Sequence, residues 1–166
     1  MNIPKMIATF FHVGLLRPAP GTWGSAAAIP VAWVVHGALG FPGFAVVTAL
    51  IFALGWWATG RYTRGTGIHD PSEVVIDEVA GMFVTLLPVS GGLWFIGAAP
   101  WLFPWPGWVM GFVLFRLFDI LKPGPVGRAD ARGDALGVML DDIIAGAFAA
   151  VLVAASAAFV HLVLIP

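Results

Sequence analysis

Long apolar stretches alternate with two short polar blocks along this chain of 166 residues. Residues 18–60, 79–115 and 143–166 contain no Asp, Glu, Lys or Arg. A helix needs about 20 residues to cross a bilayer core about 30 Å thick. The first stretch is therefore long enough for two crossings, the second for two tight ones and the third for one. The core of a soluble protein is also apolar, but polar faces interrupt it at helical period. The pattern predicts an all-α, polytopic membrane bundle of about five transmembrane helices, forming a single membrane-embedded domain over residues 1–166.

Glycine and proline place the breaks. Gly37, Gly40, Pro42 and Gly43 predict a turn near residues 36–43. Gly91, Gly92, Pro100, Pro104 and Pro106 predict another across 90–107, where Trp94, Trp101, Trp105 and Trp108 supply rings suited to a membrane interface. Each stretch then reads as a helical hairpin that returns the chain to the side it left. A further helix is expected to continue through Leu114, Leu117 and Leu121 as far as Lys122-Pro123, with Arg116 and Asp119 on one face at i, i+3 spacing. Residues 4–16 predict an interfacial or partly inserted N-terminal helix. The segment superficially resembles a signal peptide, but Arg17-Pro18 and His12 argue against cleavage.

Composition sharpens this picture. Sixty per cent of residues are hydrophobic and ten per cent charged, against roughly 25 per cent charged in soluble domains. Net charge is −1, so no basic surface suggests nucleic acid. Cysteine is absent, which excludes disulfides, zinc–thiolate sites and a cysteine nucleophile. Two hairpins put all eight Lys and Arg residues on one side, and the positive-inside rule makes that side cytoplasmic. All nine acidic residues lie between Asp70 and Asp142 on the same side. Clustered carboxylates in a lipid-facing protein suggest a functional site.

Three polar segments carry the candidate chemistry. In Gly21-Thr22-Trp23-Gly24-Ser25, a helix starting near Ser25 would offer free N–H groups to an anion; Thr22 or Ser25 could equally be a simple cap. Between His69 and Gly81, Glu73 and Asp77 are spaced i, i+4, where like charges repel unless a cation separates them, and Asp77-Glu78 is an acidic pair at the start of an apolar run. Acidic residues also favour helix N-termini. The third segment contains Arg116, Asp119, Lys122, Asp130, Asp134 and the pair Asp141-Asp142. This last pair repeats the layout of Asp77-Glu78: an acidic pair, two or three small or apolar residues, then a glycine, Gly81 in one and Gly146 in the other. Small residues would let the two helices approach closely and bring both pairs together. The plain reading of Arg116, Asp119 and Lys122 is a helix-surface ion pair and a snorkelling lysine. Carboxylates without thiols suit a hard divalent ion bound through oxygen, and magnesium binds one or two carboxylates together with substrate phosphate. Arg116 can grip phosphate bidentately, with Lys122 as a point charge. Together these groups fit phosphoryl transfer to water on a lipid substrate.

These segments resemble the phosphatidylglycerophosphatase A family, which are bacterial magnesium-dependent lipid phosphatases. The matching stretches are Gly21 to Ser25, Glu73 to Glu78 with Gly81, Phe115 to Pro123, and Gly137 to Gly146 around Asp141-Asp142. The resemblance implies removal of the terminal phosphate of phosphatidylglycerophosphate to give phosphatidylglycerol at the cytoplasmic (inner) membrane, with Mg2+ as cofactor. It implies Asp77, Glu78, Asp119, Asp141 and Asp142 as metal or general-base positions, with Glu73 as a further metal position. Arg116, Lys122, Thr22 and Ser25 become phosphate contacts. Asp130 is a further candidate, whereas Asp70 and Asp134 read as solvated. The family often has a bulky aromatic residue after the Lys-Pro pair, where this chain has Gly124.

Two other kinds of membrane enzyme and one kind of transporter compete. Phosphatidyltransferases also cluster aspartates at a cytoplasmic face, but their long Asp-Gly, Ala-Arg, Gly, Asp, Asp pattern is missing. Acid-phosphatase-like lipid phosphatases need a histidine near Ser-Gly and Arg motifs, and the four histidines here are scattered. An ion-coupled transporter would use intramembrane acids as a cation path, yet these acids lie at helix starts, without an inverted repeat of broken helices.

Overall fold

The computed structural model describes residues 2–64, 68 and 70–164. His69 lies outside them. Among the described residues every regular element is helical. α1 spans Ile3–Ala8, α2 Pro20–Tyr62, α3 Ile76–Phe95, α4 Trp105–Leu121, α5 Pro125–Asp130 and α6 Ala135–Phe159. Among the described residues three helices are long and apolar enough to cross a membrane: Pro20–Tyr62, Ile76–Phe95 and Ala135–Leu162. α4, at 17 residues, is nearly as long.

α2 is two limbs joined at Gly40, whose φ of 65° and ψ of −172° break the helix. Its neighbours show how the limbs run. Gly24 packs on Val75 and Gly55 on Ile76, both at the start of α3, while Gly37 and Gly40 lie against Trp101 and Trp94 at the other end. The two limbs are therefore antiparallel beside α3, with the break inside the predicted 36–43 window. Phe44 stacks on Phe83 at 4.9 Å between centroids. His36 Nδ1 and Ser90 Oγ meet at 2.8 Å, so a buried polar pair in an apolar layer is satisfied.

α3 is the central helix, packed by α2, α4 and α6. Of the most apolar 18 residues of α3, 56% are buried, against 11% in α2 and 22% in Ala135–Leu162. Lipid is as apolar as leucine, so close packing rather than hydrophobicity must join such helices. Gly81 and Gly146 provide it. A Cβ at Gly146 would run into the Gly81 carbonyl, and one at Gly81 would come within 2.8 Å of the Asp142 carbonyl oxygen. Thr85 Oγ1 spans the same contact, donating to Gly81 O at 2.9 Å and Gly146 O at 3.3 Å.

Some local expectations change. The N-terminal helix ends at Ala8, because Phe10, Phe11 and His12 all take positive φ. The second break is narrower than expected: Ser90 to Gly92 remain helical, and the interruption covers residues 96–104. Trp94, Trp101 and Trp105 are exposed, but Trp108 is 2% exposed and stacks on Phe103 at 5.0 Å. It belongs to the core, not to an interface belt.

Candidate active site

The site forms where the starts of α2, α3 and α6 meet the end of α4. Pro20 fixes φ for a first helical residue, so α2 begins there and not near Ser25. Its ladder opens with Trp23 N donating to Ala19 O at 3.2 Å. The N–H groups of Gly21 and Thr22 precede that ladder, as at any helix start. Ser25 Oγ donates back to Gly21 O at 2.8 Å inside the helix. α3 starts at Ile76 because the preceding chain is tied elsewhere: Val74 N donates to Pro71 O and Val75 N to Ala8 O, both at 2.9 Å. Glu73 is thus off the helix, and the i, i+4 relation with Asp77 does not form. Its Oε1 accepts from Tyr62 Oη at 2.9 Å.

A cavity of about 260 Å³ opens among these ends. Asp77, Glu78, Arg116, Asp119, Lys122, Asp141 and Asp142 line it, with Asp70, Ser72, Val74, Ala19, Pro20 and Gly21. Thr22, Ser25 and Glu73 are not on the lining. Asp70 and Ser72 are additional members; Asp70 is exposed as well as facing the cavity. Gly21 is required sterically, since a Cβ there would meet Glu78 Oε1 and lie 3.1 Å from Arg116 Nη1.

Six carboxylates face two cations on this lining. One oxygen each from Asp77, Glu78 and Asp142 lies within 4.8 Å of the other two. Asp77 and Asp142 are 7% and 3% exposed. Arg116 Nη1 is 2.6 Å from Asp119 Oδ2 and 3.9 Å from Glu78 Oε1. Among the described residues, Glu78 Oε2 and Arg116 Nε are buried without a hydrogen-bond partner. Such groups are costly to leave unpaired, and here they sit in a charged cavity. Lys122 ends α4 in a left-handed conformation, φ 45°. Its Nζ donates to Asp141 Oδ2 at 2.8 Å and also to Asp130 Oδ1. Burial alone would lower the Lys122 pKa, but these two carboxylates outweigh it and hold the ammonium above the ordinary lysine value. Asp134 is exposed and caps α6, accepting from Gly137 N at 2.7 Å.

The arrangement can hold a hard cation among carboxylate oxygens and an anionic group against Arg116 and Lys122. The phosphatidylglycerophosphatase A profile matches residues 6–157. The chain belongs to the phosphatidylglycerophosphatase A family. It is 35% identical to the Haemophilus influenzae phosphatidylglycerophosphatase A over 155 residues, covering 92% of this chain and 88% of the relative. Identity to the Escherichia coli phosphatidylglycerophosphatase A is 34% over 146 residues, or 87% and 78% of the two chains. A Bacteroides thetaiotaomicron protein provisionally named a phosphatidylinositol-3-phosphatase is 33% identical over 159 residues, 92% of each chain. No solved structure matches this chain. Every segment on which the resemblance rests contributes at least one residue to the cavity lining.

Proposed function

We propose that this phosphatidylglycerophosphatase A family member hydrolyses the terminal phosphate monoester of phosphatidylglycerophosphate, releasing phosphatidylglycerol and inorganic phosphate. The observation that carries this reading is the juxtaposition of the Asp77–Glu78–Asp142 oxygens with Arg116 and Lys122 in one cavity. The donor set fits magnesium: all oxygen, all carboxylate, with Glu78 Oε2 left unpartnered. Asp77, Glu78 and Asp142 would hold the ion, and bound magnesium would supply Lewis-acid stabilisation of phosphoryl charge.

The residues of the chain then have separate tasks. Arg116 is oriented by Asp119 and presents its unpartnered Nε toward phosphate oxygens. Lys122 adds a second positive charge at the same opening. A carboxylate of the cluster takes the proton from an attacking water, the water oxygen bonds to phosphorus, and the bond to the glycerol oxygen breaks as that oxygen takes up a proton from the carboxylic acid so formed or from solvent, leaving as the alcohol. The competing route is attack by an aspartate of the cluster, which would pass through an aspartyl-phosphate intermediate.

The proposed setting is the bacterial cytoplasmic membrane. Five crossings follow if the two α2 limbs, α3, α4 and α6 all span it, with α1 at the interface. All eight Lys and Arg residues then share the cytoplasmic face with the cavity.

The test is phosphate release from phosphatidylglycerophosphate by purified protein in detergent, with magnesium and with chelator, and phosphatidylinositol 3-phosphate as comparison substrate. The expected result is magnesium-dependent release that favours phosphatidylglycerophosphate. Release unaffected by chelator would discard the metal, and preference for the inositol lipid would discard the substrate.

A further inference from the structure

We infer that Asp130 is a positioning residue, which holds the Lys122 ammonium where it can reach a phosphate group in the cavity. The inference rests on the phosphatase reading only for the identity of the ligand.

Asp130 is not on the cavity lining, and its side chain is 44% exposed. Its contact with the site runs through Lys122. Lys122 is on the lining and bonds both Asp130 and the buried Asp141. An ammonium has three donors. Two are taken by carboxylates on different helices, and the third is left for a phosphate oxygen without either bond breaking. A lysine at a helix end otherwise samples many rotamers on its flexible stem; two fixed acceptors remove that freedom.

The fixing is structural. The left-handed backbone of Lys122 turns the chain, and α5 folds back on it, with Val126 N donating to Pro123 O at 3.1 Å. A Cβ at Gly127 would lie 2.8 Å from the Lys122 carbonyl oxygen, so α5 touches the lysine backbone. Val126 and Ala129 are buried, and Gly137 of α6 packs on the Ala129 carbonyl. Asp130 therefore sits on a clamped helix, not on a free loop. Exposed ion pairs usually contribute little. This one differs because its cation is shared with a buried acid of the site.

The experiment compares Asp130→Ala, Asp130→Glu, Lys122→Ala and the Asp130→Ala/Lys122→Ala double variant. Inorganic phosphate is titrated calorimetrically into each protein in detergent with magnesium, and kcat and KM are measured on phosphatidylglycerophosphate in parallel. Asp130→Ala is expected to weaken phosphate binding and raise KM about tenfold, with a smaller change in kcat. Asp130→Glu should recover most of both. In the Lys122→Ala background, removing Asp130 should cost nothing further. Unchanged binding in Asp130→Ala, an additive double variant, or a parent protein that binds no phosphate would each overturn the inference. A parent without turnover but with the coupling intact would sink the phosphatase reading and leave the Asp130 role standing; normal turnover with Asp130→Ala silent would do the reverse.

Discussion

The starts of α3 and α6 carry the same local motif and use it differently. In each, an aspartate accepts from the next backbone N–H at 3.0 Å, Asp77 from Glu78 and Asp141 from Asp142. Each has a glycine shortly after, and those glycines touch. The cations separate them. Lys122 bonds Asp141 directly, whereas Arg116 approaches Glu78 only to 3.9 Å and spends its short contact on Asp119. The caps also differ: Asp134 caps α6, whereas Val75 stands at the N-cap of α3 and makes no side-chain cap bond. Similar sequence therefore leaves Asp77, Glu78 and Asp142 in a cation-poor cluster and puts Asp141 in service of a lysine.

The largest expected effect tests that division. Asp77→Asn and Asp142→Asn should each lower kcat by about 10³-fold or more, a loss of roughly 4 kcal/mol of transition-state stabilisation. Asp141→Asn should cost about 10- to 100-fold, as expected of a residue that orients another. Steady-state kinetics on protein whose helicity is checked by circular dichroism would decide it. Equal losses in Asp141→Asn and Asp142→Asn would erase the distinction.

A middle-sized effect concerns the contact that holds the two motifs together. Gly146→Leu forces a side chain into the Gly81 carbonyl and should cost about 1–3 kcal/mol, seen as a lower melting temperature in detergent together with lost turnover. Gly92→Ala is the control, since nothing lies within 4 Å of a Cβ there; it should melt no lower than the parent. The smallest effect comes from the cap. Asp134→Ala should lower stability by about 1 kcal/mol and leave kcat/KM within roughly twofold. A large catalytic loss in that variant would mean that the α6 start is tuned for the reaction and not simply terminated.

Much of this arrangement was legible in the sequence. Charge-free stretches, the Gly40 break and the paired acids before Gly81 and Gly146 are one-dimensional signals with direct physical causes. Residues that depend on contacts far along the chain were not. Glu73 left the helix because residue 75 is held by Ala8, a partner 67 positions away. Thr22 and Ser25 moved inside α2 because Pro20 started it early. Trp108 is buried by Phe103 and its neighbours, although its spacing matched an interface belt. The two partners of Lys122 could be named as nearby acids, but not as simultaneous ones, since that depends on α5 folding back.

The contact between Gly81 and Gly146 has a consequence for how this protein tolerates change. The spacing of the acid pairs is set by main-chain atoms, Asp142's own carbonyl among them, and none of the acidic side chains takes part in setting it. Geometry and chemistry are thus written at separate positions. Substitution at an acid alters what the cavity does and leaves the frame standing, while substitution at either glycine dismantles the frame with every acid still present. Neutralising one buried acid also relieves repulsion, so mutational drift toward a more stable chain runs directly through loss of the site.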